Sequence, residues 1–293
     1  MMKLQDPLLK GLKGVCKLFG VSRQAYYKKE KHQEKIKLHH EIVLQLVEGI
    51  RKIPQWKRMG TPKIYLKLKP EFVKMNIKMG RVALHALVME YGLHVRCSRK
   101  RAITTDSYHR FRKYPNLVKG LIIQNPGLVW VADITYLSLP DRFIYLFLIT
   151  DCYSHKIIGF DLSNTLAATG ALNALQMASR QYKRVKDNEV IHHSDRGIQY
   201  ACTDYVMALK KLKARISMAA KGNPYENPMA ERVNGILKVE MGLERGFESF
   251  DEAKHEVLTT IEMYNNERFH SSINMLTPSV AHTMTGPIPK KWK

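Results

Sequence analysis

Hydrophobic residues recur at helical spacing through the first hundred positions and then collect into short continuous runs after residue 125. The change of period predicts a helical N-terminal region followed by a sheet-containing domain. In LLKGLKGVCKLFGVSRQAYYKK (8–29) the apolar Val15, Leu18 and Phe19 predict a helix, Gly20 a stop and tight turn, and Ser22 the N-cap of a second helix. A helix-turn-helix segment over 1–36 is expected. Its second helix would offer Arg23, Gln24 and Lys28 to a DNA groove. A long amphipathic helix should follow, with Ile36, Ile42, Leu46, Val47 and Ile50 on one face and Pro54 ending it. Two shorter helices are expected, one over 58–70 starting near Pro62 and one over 78–95 closed by Gly92. Residues 37–98 then form a second helical DNA-binding unit.

Residues 99–124 read as a basic linker, with aromatic Tyr108, Phe111 and Tyr114 placed to stack on bases or to pin the linker down. Arg99 and Arg101 are its expected DNA contacts. Beyond it, GLVWVADITYLSLP, FIYLFLITDCYS and HKIIGFDLS predict three strands joined by short turns, an antiparallel meander. A helix over 165–184, a strand over 189–195, a helix over 203–212, a strand over 214–219 and a helix from Asn227 to about Met241 complete the order βββαβαβα. That is an α/β fold, a mixed sheet flanked by helices, spanning 125–285 ahead of a basic tail at 286–293.

Charge sharpens this division. The 293 residues carry a formal net charge of +22. Residues 1–125 hold 28 Lys and Arg against 8 Asp and Glu, +20; the remainder holds 20 against 18, +2. A basic half joined to a near-neutral half is the pattern of a polyanion-binding module attached to a second domain. Cys16, Cys97, Cys152 and Cys202 are scattered with no CxxC pair, which argues against a zinc knuckle or disulfide framework and suits a reducing cytoplasm. FIYLFLIT is too short to span a bilayer, and no secretory leader is evident.

Three carboxylates are candidates for chemistry. Asp133 interrupts the apolar strand WVADITYL, where a charge is costly unless paired or metal-bound. Asp195 ends the fourth strand in HHSDRGIQY, flanked by His193 and Arg196; separated from it by thirty-five residues, Glu231 lies in the first turn of the last helix. Asn227 is the expected N-cap of that helix and Pro228 its first residue. Asn234 and Lys238, at i+3 and i+7, would share a face with Glu231. This oxygen-donor set suits Mg²⁺, with Mn²⁺ as a substitute, and two ions could hold the attacking and leaving oxygens of a phosphoryl transfer. Lys238, Asn234 and Arg196 are the expected DNA contacts nearby. Among the other carboxylates of this half, Asp151, Asp161 and Glu240 read as decoys or as supporting groups. Asp151 is the strongest rival for a direct role, and Asp161 is expected to face solvent.

WVADITYL, HHSDRGIQY and ENPMAERVNGILK together resemble the DDE transposases of bacterial insertion sequences, specifically the integrase-like OrfB type of the insertion sequence three family. KIYLKL, GRVALHALVMEYGL, TTDSYHRFRKYPNL and YNNERFHSSINMLTPSVAH extend the likeness over most of the chain. The resemblance implies a ribonuclease H-like fold, dependence on two Mg²⁺ ions bridged by Asp133, a catalytic triad of Asp133, Asp195 and Glu231, and DNA contact by Lys238. It implies cleavage at transposon ends followed by strand transfer, an oligomer acting on paired DNA ends, and an OrfA-type upstream partner or frameshift fusion. The motif departs from the family pattern at Glu226 and Pro228 around Asn227, at Arg232 and Val233 after the glutamate, and at Pro62. Two other readings share the same residues: an inactive DNA-binding repressor of a related element, and a nuclease or resolvase of the same fold.

Overall fold

The computed structural model describes residues 11–95, 110–182, 190–219 and 227–288. The chain divides into two compact units, Met1–Lys52 with Gly60–His94, and Ile53–Met59 with Val95–Lys293. The first unit is helical: α1 (Leu12–Leu18), α2 (Arg23–Lys52), α3 (Thr61–Lys74) and α4 (Arg81–Glu90). Gly20 has φ 65°, which permits the expected turn. The backbone N–H of Ala25 donates to Ser22 Oγ at 3.0 Å, the expected cap. One expectation is corrected here. The second helix and the long amphipathic helix are one 30-residue helix, so the boundary expected after residue 36 falls inside it. KKEKHQEKIK has no Gly or Pro to break it. Leu18 and Phe19 are exposed, and Cys16 is the buried residue of α1. Val43 and Val47 make the buried stripe of α2, while Ile36 is exposed. Pro62 lies in the first turn of α3, which runs on through Pro70. Gly92, with φ 68°, follows α4 as expected.

The second unit is built on one five-stranded sheet in the order β3-β2-β1-β4-β5. The strands are β1 (Val129–Ser138), β2 (Phe143–Asp151), β3 (Ile157–Ser163), β4 (Ile191–Ser194) and β5 (Arg215–Met218). β1, β2 and β3 are antiparallel, while β4 and β5 run parallel to β1. Helices α5 (Ala168–Tyr182), α6 (Ile198–Ala201) and α7 (Thr203–Lys211) supply Ala171, Ala174, Leu175, Tyr200, Tyr205 and Leu209 to one core, against Trp130, Ala132, Phe147 and Ile149. Gly159 of β3 lets α5 approach closely: a Cβ there would run into the carbonyl oxygen of Ala174. On the opposite face Val129, Val131 and Ile191 pack with Ala230 of α8 (Pro228–Gly235). The strand pattern and helix order match the expected mixed sheet. The expected last helix is different in kind: α8 ends at Gly235 and continues as a π-helical turn, Ile236–Glu240. α9 (Phe250–Asn266) and α10 (Pro278–Ala281) follow. Among the described residues no helix is long and apolar enough to cross a membrane.

Candidate active site

Alternation along β1 sends Trp130 and Ala132 into the α5 core and Val129, Val131 and Asp133 to the α8 side. The parallel register of β1 with β4 pairs Val131 with His193 and Ala132 with Ser194. One residue further along the two adjacent strands come Asp133 and Asp195. Two carboxylates on neighbouring strands, about 5 Å apart in backbone spacing, repel each other. The Asp133 carboxyl is pushed up to about 7, by burial first, then by the charge of Asp195, and also by that of Glu231. The backbone N–H of Ile134 donates to its Oδ1 at 2.9 Å, and Asn234 Nδ2 donates to its Oδ2 at 2.7 Å; both offset the rise. Asp195 accepts from the N–H of Gly197 at 2.9 Å, which fixes the turn out of β4. Glu231 is exposed in the first turn of α8.

Asp195 and Glu231 thus both act on Asp133, from β4 and α8. Among the described residues no three His, Cys, Asp or Glu side chains stand close enough to grip one ion as they are. The donor set still fits a hard divalent cation. It is all oxygen, its charges raise the cost of ionising Asp133, and such a cation keeps several of its waters.

Several neighbouring residues take roles different from those the sequence suggested. Asn234 is bonded to Asp133 rather than presented outward. Asn227 does not cap α8 with its side chain; its Nδ2 donates to the carbonyl of Ala132 at 3.3 Å and ties the helix start to β1. The N–H of Met241 reaches back five residues to the carbonyl of Ile236. That wider turn breaks the i+7 alignment of Lys238 with Glu231 that a regular α-helix would give. Lys238 is half-buried there. Glu240, the last residue of the π turn, receives Nε and Nη2 of the buried Arg268 at 3.1 and 2.6 Å. Asp151 is fully buried and structural. It accepts from the N–H of Gly127, and from both the N–H and the hydroxyl of Ser154, at 2.7–2.8 Å. Burial works to raise its pKa, but His282 and these donors hold it below the ordinary carboxylate value. Asp161 is half-buried and electrostatically tied to Asn173 and Lys254. His193 is buried, with Nδ1 2.8 Å from Ser217 Oγ.

Arg196 is half-buried beside Asp195. Arg23, Gln24 and Lys28 are exposed near the start of α2. Arg23 and Gln24 share a shallow recess with Lys13 and Lys17. Arg99 and Arg101 lie outside the described residues. Sequence reasoning missed Tyr200, which is buried with no hydrogen bond to its hydroxyl and close enough to both aspartates that their charges help raise its phenol. Its place five residues after Asp195 in HHSDRGIQY was the available signal. Arg268 was also missed; its signal was a cation inside YNNERFHSSINM.

A mixed sheet with antiparallel β1–β3, parallel β4 and β5, and acidic residues at the meeting point of β1, β4 and α8 defines a ribonuclease H-like phosphoryl-transfer class. Two integrase core domain models match, over residues 124–224 and 212–278. The 31 kDa protein of insertion element IS600 from Shigella sonnei is 32% identical over 90% of this chain and 96% of its own length. The transposase InsF of insertion sequence IS3A from Escherichia coli K12 is 30% identical over 91% of this chain and 92% of its own. Among solved structures, a simian T-cell lymphotropic virus intasome chain is 17% identical, covering 82% of this chain and 77% of that one, with a TM-score of 0.47. The chain belongs to the integrase-core transposase family of the bacterial insertion sequence three elements.

Proposed function

We propose that this transposase cuts DNA at the ends of its element and joins the freed ends to a target, with Asp133, Asp195 and Glu231 as the catalytic triad. The observation that carries the reading is the electrostatic coupling of Asp133 to both other carboxylates. It makes the site an attractor for cations, and the three side chains would hold two Mg²⁺ ions, or Mn²⁺ in their place. When bound, such ions supply charge neutralisation at the attacking and leaving oxygens of an in-line displacement. The chain's own residues do the positioning. Asn234 orients Asp133, the Gly197 N–H orients Asp195, and Asn227 anchors the helix that carries Glu231. In the first step a water oxygen bonds to phosphorus as the 3′ oxygen leaves and takes up a proton. In the second, that 3′ oxygen attacks a target phosphodiester and the target's own 3′ oxygen leaves. One P–O bond forms and one breaks in each step, so no external energy source is needed.

DNA is the partner. Arg23, Gln24, Lys28, Arg99 and Arg101 are proposed to hold it through the basic N-terminal half, and Lys238 and Arg196 near the carboxylates. Two ends must be joined together, so the active species is proposed to be an oligomer on DNA, working in the bacterial cytoplasm at the nucleoid, with an OrfA-type partner or fusion supplying further end recognition. The test uses supercoiled DNA bearing the repeats that flank this gene, incubated with Mg²⁺ or Mn²⁺. Wild type should cut at the ends and join them, and Glu231→Gln should bind but do neither. Cutting without joining would point to a nuclease. Binding without cutting, alone and with the upstream partner fused, would point to a repressor.

A further inference from the structure

A second concave site lies beside the carboxylates on the α8 face of the sheet. It is a cavity of about 420 Å³. Val118, Val131, Cys152 and Met229 give it apolar walls, His155, His193 and Asn227 give it polar ones, and Arg232, Ser271 and Ser272 stand exposed at its rim. Val131 and His193 precede Asp133 and Asp195 by two residues on their strands. Two strand residues advance roughly 7 Å, close to one nucleotide step. Arg232 follows Glu231 directly. The cavity wall at Val131 and His193 therefore lies about one nucleotide step along the strands from Asp133 and Asp195.

Asn227 is 7% exposed and lines the cavity. Its Nδ2 is committed to the carbonyl of Ala132, which fixes the orientation of the carboxamide. That bond ties this wall of the cavity to β1. Across from it, His155 holds a left-handed backbone, φ 63°, with Nδ1 3.3 Å from Ser272 Oγ. Burial chiefly, with the charges of Arg268 and Arg232, depresses its pKa to about 4 against the pull of Asp151, so the ring is neutral and flat at pH 7. Apolar walls and a neutral ring suit a planar heterocycle; the rim arginine suits its phosphate.

We propose that this cavity receives an unstacked DNA base, one nucleotide from the scissile phosphate, and so fixes the transposon end. The proposal rests on the transposase reading. Extruding a base costs a few kcal/mol in a duplex and less near a strand end, where this enzyme works.

The full chain is tested on duplexes of the element's end with 2-aminopurine, or an abasic site, stepped along the nucleotides flanking the cut. Ser272→Trp fills the mouth from an exposed position, and Met229→Trp fills it from within. At one position 2-aminopurine should brighten on binding wild type and stay dark with Ser272→Trp. On the intact end that variant should bind about tenfold more weakly, the contribution of one base contact. With an abasic site at that position both proteins should bind alike. No brightening at any position, brightening that survives the filled cavity, or an affinity gap that persists at every abasic position overturns the proposal. Glu231→Gln should brighten as wild type does while cutting nothing. Wild type that cuts and joins without brightening overturns the cavity and keeps the transposase reading; brightening at one position without cutting does the reverse.

Discussion

Asn234 and Asp133, a hundred residues apart in sequence, meet through one 2.7 Å hydrogen bond. That bond takes one oxygen of a carboxyl whose ionisation is opposed by burial and two other carboxylates. Asn234→Ala should leave the fold intact and slow strand joining about 10–100-fold, the usual cost of losing an orienting partner, with more Mg²⁺ needed for half-maximal rate. A joining rate and Mg²⁺ dependence equal to wild type would remove Asn234 from the site. Asp151 is the contrasting residue. Its donors hold its pKa below that of the unfolded chain. It therefore stabilises the fold above about pH 4 and loses that contribution as pH falls through its depressed folded value. Asp151→Asn should cost about 2 kcal/mol at pH 7, and the gap should close under acid; urea midpoints across pH read this directly. Both aspartates look alike in the sequence, each in an apolar strand. Ser154, three residues on, is a local partner of Asp151 alone; the long-range partners, Gly127 and His282 for one and Asn234 for the other, have no local pattern to encode them.

At the scale of elements, the strands were legible because each apolar run is bounded by turn residues and β1 alternates cleanly between two cores. The continuity of α2 was legible too, in the unbroken run from Lys28 to Lys37, but the helix-turn-helix reading cut it. The π turn at Ile236–Glu240 was not, because its residues suit an α-helix equally well. What holds that turn lies in the C-terminal segment. Arg268, buried, clamps Glu240 with two hydrogen bonds. Arg268→Ala leaves Glu240 without its cation and should destabilise the protein by about 3 kcal/mol. If the pair also sets the placement of Lys238, then a temperature at which the variant remains folded should still show weaker end binding. Normal stability in that variant would mean the pair is dispensable.

For the whole molecule, charge is the governing quantity. Residues 1–125 carry +20 of the +22. Binding to DNA of any sequence should therefore weaken steeply with salt. Lys28→Ala should reduce the slope of log K against log salt by about 1 if Lys28 meets a phosphate. An unchanged slope would take Lys28 off the DNA. The division into a basic helical unit and a sheet unit was visible in the sequence as a shift of both period and charge. The three carboxylates proposed as the triad stood out by their spacing, but the closeness of two of them needed the parallel pairing of β1 with β4, which brings Asp133 beside Asp195.

The central claim is that Asp133, Asp195 and Glu231 work as one unit. The most direct measurement compares strand joining by Asp133→Asn, Asp195→Asn, Glu231→Gln and the triple variant, each shown to bind end DNA. Residues that act together lose together, so every single variant should fall to the same floor as the triple one. A single variant that joins strands at the wild-type rate would take that residue out of the site and contradict the account.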